Sequence, residues 1–185
     1  MKGILVALGI VAVILAGMVI SGYNGIITKH ETITASWAQV ENQLQRRNDL
    51  IPNLVNTVKG YATHEKTLFE DITNARSQWA KASTVEEKVK AAGAVDSALS
   101  RLLVVAENYP NLKADAEFLK LMDELSGTEN RIAVERMRYN ESVRDYNIAV
   151  RTFPGNIIAG FSGFKPATEY FKAEEKAKAV PEVKF

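Results

Sequence analysis

Cysteine is absent from the 185 residues. That excludes disulfides, thiolate nucleophiles and cysteine-held metals, and it suits either side of a membrane. Histidine occurs twice, as His30 and His64, without the four-residue spacing of a helical metal pair. Neither a metal nor any other cofactor is expected. A net charge of +1, with basic and acidic residues interleaved, leaves no stripe for nucleic acid, so none is expected as a partner. The GxSxG, GxGxxG and Walker patterns are all missing. The carboxylates Asp49, Glu65, Asp71 and Glu124 form no convergent pair in the sequence and read as solvated helix faces. With no catalytic constellation, the chain does not read as an enzyme. Between residues 26 and 150 the only glycines are Gly60, Gly93 and Gly127, and the only prolines Pro52 and Pro110. So few breakers over that distance predict long helices.

Charge itself is missing from one region. Gly3 to Thr28 contains no Asp, Glu, Lys or Arg, and Ile4 to Ile20 is almost wholly Ile, Leu, Val, Ala and Gly. About 20 apolar residues cross the roughly 30 Å hydrocarbon core of a bilayer. The run is longer than the h-region of a signal peptide, and Ser21-Gly22-Tyr23 makes a poor cleavage site. It lacks the polar face of a core helix. The expectation is a retained single-pass anchor, residues 1–25. Lys2 and the terminal amine lie before it, while Lys29, Arg46 and Arg47 follow, the last two at some distance. By the positive-inside rule this favours the remaining chain lying outside the cytoplasm.

The remaining chain, roughly 160 residues, suits a single domain. From Ile26 a seam steps in fours and threes through His30, Ile33, Trp37, Val40, Leu44, Arg47, Ile51, Leu54, Val58 and Tyr61, which is a heptad pattern facing partner helices. The first helix therefore continues out of the anchor to about Ala62, with a kink expected near Asn48 because Pro52 has no N–H to donate. A second helix covers about residues 64–82. Ser83-Thr84 before Glu86-Glu87 starts a third, about 85–107. A fourth runs from about Leu112 to Thr152, with the stripe Phe118, Met122, Leu125, Glu129, Ile132, Arg136, Tyr139, Val143, Tyr146, Val150 and Phe153. Short connections make neighbours antiparallel. The expected fold is all-α: an N-terminal transmembrane helix continuing into an elongated antiparallel four-helix bundle over residues 26–153. Residues 154–185 are expected to form a glycine-rich apolar turn, a short amphipathic helix around Tyr170 and Phe171, and a loose tail.

Three seam positions are charged. Arg47, Glu129 and Arg136 stand where the heptad asks for apolar side chains, and a buried charge must be paired. Antiparallel packing allows an Arg47–Glu129 pair; a Glu129–Arg136 pair, seven residues apart on one helix, would need long side chains. Such a network sets helix register; a ligand or ion site is the other reading. The run Ile157, Ile158, Phe161 and Phe164 forms a second candidate. The fourth helix returns it to the membrane-proximal end, where it is either a cap on the bundle or a patch for membrane or partner.

The runs Trp37-Ala38-Gln39-Val40, Gln45 to Val55, Val58 to Ala62 with His64-Glu65, and Glu107 to Ala114 resemble the LemA family. So do Thr128-Glu129-Asn130-Arg131-Ile132, Arg138-Tyr139-Asn140, Tyr146-Asn147 and Phe153-Pro154. Gly22-Tyr23-Asn24 and Gly163-Phe164 with Tyr170-Phe171 extend the resemblance over almost the whole chain. It implies a bacterial membrane-anchored helical bundle and implies no reaction. Arg47, Asp49, Glu129 and Asn130 are motif residues at or beside the charged seam positions.

The expected role is a non-catalytic membrane-anchored scaffold of the cell envelope in the bacterial inner membrane, with its body on the periplasmic side. Its partners would be the lipid bilayer, further copies of itself and other envelope proteins. The alternative is a small-molecule or ion-responsive module built on the Arg47, Glu129 and Arg136 layer.

Overall fold

A computed structural model describes residues 2–62 and 64–171. Its regular structure is helical, with no strand among the described residues. The helices are α1 (Lys2–Lys59), α2 (Lys66–Lys81), α3 (Val85–Ala106), α4 (Pro110–Lys113), α5 (Ala116–Arg151) and α6 (Gly155–Ser162). One long apolar helix thus opens an all-α protein, as the composition predicts. The chain divides into two compact units, one formed by residues 39–136 and the other by 1–38 with 137–185.

In the unit of residues 39–136, α1 contributes Val40, Leu44, Ile51, Leu54 and Val58 to the core, each at most 2% exposed. Helix α2 adds Leu68, Phe69, Ile72, Ala75 and Trp79. Helix α3 adds Val95, Leu99 and Leu102 among small alanines that permit close packing. Helix α1 runs through Pro52 without a break. Pro52 leaves the Asn48 carbonyl without its helical donor, and Arg76 Nε on α2 supplies one at 3.2 Å. The start of α3 is a capping box. Thr84 Oγ1 accepts from the Glu87 N–H at 3.2 Å, and the Glu87 carboxylate accepts from the Thr84 N–H at 3.1 Å. The expected fourth helix is split. Pro110 opens the short α4, and Asp115 then caps α5 by accepting the Phe118 N–H at 2.8 Å.

The other unit pairs α1 with the last part of α5. His30 packs edge-on against Tyr146 with centroids 5.5 Å apart, and Trp37 against Tyr139 at 5.7 Å. Seven residues forward on α1 correspond to seven back on α5, so the two run antiparallel here. Ile26, Tyr146, Val150, Ile158 and Ala159 form a small core. The window of α1 with mean hydropathy 2.9 has none of its residues buried. This is the one helix among the described residues long and apolar enough to cross a membrane.

Several expectations are corrected. The glycine-rich run is the helix α6, not a turn. Gly155 permits it, since a Cβ there would lie 2.0 Å from the Ala149 carbonyl oxygen. Gly163, at φ 78°, ends it with the Phe164 N–H on the Ala159 carbonyl at 3.0 Å. Residues 164–171 are not helical, because side chains of α5 take their backbone groups; the rest of the expected amphipathic helix and the tail lie outside the described residues. Tyr61 and Phe153 are exposed rather than in a seam, and His30 keeps its contact with Tyr146 while remaining exposed. Glu129 is also exposed, and Thr128, at 0%, holds the buried position.

Candidate functional site

The charged layer lies within the unit of residues 39–136 and centres on Arg47, a fully buried side chain at 1% exposure. Its Nη1 donates to the Asp96 carboxylate and to Glu129 Oε2, the latter at 3.0 Å. Nη2 donates to the Ala92 carbonyl at 3.4 Å. Asp96 also faces Arg136, whose Nη2 lies 3.7 Å from Oδ2. Two guanidiniums and two carboxylates thus balance. Exposure rises outward from Arg47 to Asp96 at 25%, Arg136 at 28% and Glu129 at 49%.

Of the three residues that the sequence singles out, Arg47 meets Glu129 directly, and Arg136 joins through Asp96. Asp96 escapes the sequence pattern because it stands beside Val95, one step off the apolar stripe of α3. Its place four residues after the buried Ala92 is the signal that could find it. The guanidinium needs such partners because an unpaired buried charge costs several kcal/mol, and its planar fork suits more than one acceptor. These contacts join guanidinium to carboxylate and carbonyl. None of them brings in a hydroxyl or a neutral base, so they supply no evident chemistry. Two surface hollows, one of about 690 Å³ lined by Lys59, Phe69 and Glu70 and the other beside Gln78 and Glu87, contain no member of the layer. Among the described residues no group of three or more metal-ligating side chains could hold an ion.

A second polar arrangement, which the sequence pattern does not signal, lies in the other unit. Asn147 Nδ2 donates to the Ala167 carbonyl, and Asn147 Oδ1 accepts the Ala167 N–H, both at 2.8 Å. Asn140 holds Phe171 the same way, with both bonds at 2.9 Å. Tyr146 donates to the Lys165 carbonyl at 3.0 Å. A non-helical strap, residues 164–171, is therefore fastened to α5 by two side-chain amides one heptad apart. Phe171 completes an aromatic cluster, stacked on Trp37 at 5.9 Å and edge-on to Tyr139 at 5.6 Å. Burial raises the Tyr139 hydroxyl above the ordinary tyrosine value, with a further push from Glu169, and burial also raises Tyr146.

The apolar candidates separate. Ile158 is 6% exposed in the small core and Phe164 packs against it. Ile157 is 50% exposed and Phe161 91%.

A sequence model of the LemA family matches residues 36–185. Magnetosome protein MamQ 2 of Paramagnetospirillum magneticum is 30% identical over 176 residues, which cover 81% of this chain and 64% of that protein. MamQ of Magnetospirillum gryphiswaldense is 29% identical, over 80% of this chain and 64% of its own. Protein LemA of Metamycoplasma hominis is 26% identical, over 74% and 63%. The chain thus spans less than two thirds of the length of these relatives. The residues holding the strap, Asn140, Tyr146 and Asn147, and the buried Arg47 all fall inside the matched range, and the chain is a bacterial member of the LemA family.

Proposed function

We propose that this protein is a non-catalytic scaffold of the bacterial cell envelope, anchored in the inner membrane by one span and acting through self-association or protein partners. The observation that carries the reading is α1. One unbroken helix begins as a charge-free stretch with no buried residue and continues into a packed core without a linker. The carboxylates of Asp96 and Glu129 on the buried Arg47 support a structural role for that residue. Lys2 before the span supports placing the body on the periplasmic side.

The test is protease access from each face of sealed inner-membrane vesicles, together with the mass of the full-length protein in mild detergent. Digestion of the body from the periplasmic face alone and a mass of several chains are expected. A monomer would remove self-association, and digestion from the cytoplasmic face would reverse the topology.

A further inference from the structure

We propose that α6 is a second membrane contact, lying in the headgroup–acyl boundary of the bilayer beside the point where α1 leaves it. The proposal rests on the anchoring of α1 and adds a lipid-facing surface to it. The first observation is position. Ile158 of α6 packs onto α1 at Gly22, where an added Cβ would stand 2.5 Å from Ile158 Cδ1. About 20 residues fill the hydrocarbon thickness, so a span starting at Gly3 ends near Gly22. Helix α6 is therefore held at the level of the interface. Tyr23, with its ring 5.7 Å from that of Phe164, stands there too, where tyrosines gather in membrane proteins.

The second observation is the outward surface. Ile157 and Phe161 are one helical turn apart on the same face, and Phe153 lies in the bend just before α6. They are 50%, 91% and 79% exposed. Their neighbours on the inner face, Ile158 and Ala159, are 6% and 3% exposed and supply the small core. The helix is thus apolar on both sides, which in water would leave one side without a partner. The third observation is charge. From Thr152 to Phe164 no residue is ionisable, and the exposed Arg151 and Lys165 bracket the run. An apolar face flanked by cations matches a helix lying in the plane of an anionic interface. Both cations can reach phosphates while their stems stay along the apolar surface. Eight residues are too few to hold a membrane alone, but the covalent span keeps α6 beside the bilayer, so no separate association step is required. The contact would fix how α1 leaves the membrane.

The absence of cysteine makes the test clean. Single variants Phe161→Cys and Ile157→Cys of the full-length protein carry a nitroxide label in phosphatidylcholine–phosphatidylglycerol vesicles. Val13→Cys, in the span, and Val104→Cys, at an exposed position of α3, are the references. Collision with oxygen, which concentrates in lipid, is compared with collision with a water-soluble nickel chelate. Labels at 161 and 157 are expected to favour oxygen several-fold relative to Val104, approaching Val13. A label at 161 that behaves like Val104, with Val13 still favouring oxygen, overturns the contact and leaves the anchor standing. Exclusion of both reagents at 161 means that protein covers the face, a second copy if spin–spin broadening accompanies it, and overturns the lipid assignment. Water-like behaviour at Val13 as well would remove the anchoring reading and the contact together.

Discussion

The unit of residues 39–136 and the unit containing the span bury their side chains by opposite means. In the first, apolar residues from α1, α2, α3 and α5, with Phe69 and Trp79 among the aliphatic ones, make the core, and the buried Arg47 is met by carboxylates from α3 and α5. In the second, a cluster of Ile26, Tyr146, Val150, Ile158 and Ala159 is joined by the buried Tyr139 and Val143, and aromatic edges and side-chain amides bonded to a non-helical backbone add cohesion. A long heptad seam stabilises itself through area, about 1.5–3 kcal/mol for each large aliphatic side chain fully buried. A smaller core has less area to work with and gains more from directed hydrogen bonds. The two units should therefore fail differently when damaged.

The largest effect is expected at Arg47. Arg47→Ala removes a fully buried side chain and takes from Asp96 and Glu129 the guanidinium they share, so about 3 kcal/mol should be lost. A global shift in the unfolding midpoint, followed by the fluorescence of the buried Trp79, measures it. A shift below about 1 kcal/mol would show that water already reaches the layer.

Asn147→Ala strikes the other unit. It removes two hydrogen bonds at 2.8 Å to Ala167 and a third, donated to the Tyr170 hydroxyl at 3.0 Å, and orphans the Ala167 amide, which should cost about 1–2 kcal/mol. The loss should be local: faster amide exchange across residues 164–171, with the Trp79 transition unmoved. A global shift of the same size would mean that the strap unfolds together with the 39–136 unit.

The same contrast separates what the order of residues makes legible from what it conceals. The span, the long helices, the start of α3 and Arg47 as a buried cation all follow from composition and period, because each is repeated over many residues or forced by a cost of several kcal/mol. The strap is hidden because Asn140 and Asn147, though motif residues, lie off the apolar stripe of α5, and only the chain returning 20–31 residues later reveals their use. A strict four–three count puts Glu129 in the seam, but an α-helix with 3.6 residues per turn drifts against that repeat. The burial passes through Thr128 instead, and Glu129 moves to the rim. Helix α6 reads as a turn because its glycines outweigh Ile157, Ile158 and Phe161, whose spacing needs α1 beside it to be intelligible.

A smaller effect belongs to the start of α3. Thr84→Ala removes a hydroxyl cap and should cost about 1 kcal/mol. The cap also carries a pH dependence. The Ser83 N–H, then the Thr84 N–H, and the Ser83 hydroxyl hold the Glu87 carboxyl below its ordinary value. A folded value below the unfolded one gives stability that is complete above the unfolded pKa, about 4.3 for glutamate. It is lost as pH falls through the folded value. The melting curve should be flat near neutrality and fall in acid, and Glu87→Gln should flatten part of that fall. An unchanged acid slope in Glu87→Gln would assign the dependence to other carboxylates, such as Asp115, lowered chiefly by the Phe118 N–H.

The smallest effect, at Glu129, discriminates most. Were Glu129 buried, breaking its pair would cost several kcal/mol. At 49% exposure water screens the charge, and Arg47 keeps Asp96, so Glu129→Gln should cost under about 1 kcal/mol. A register-setting layer and a ligand site would both allow so small a loss, so the single variant cannot separate them. The double-mutant cycle can. If Glu129 serves only to complete the partners of Arg47, its effect should shrink by about 0.5 kcal/mol or more once Arg47→Ala is present, because the interaction it supplied is already gone. Strict additivity would mean that Glu129 contributes through something other than Arg47. It would turn the exposed rim of the layer from a structural detail into a surface awaiting a ligand.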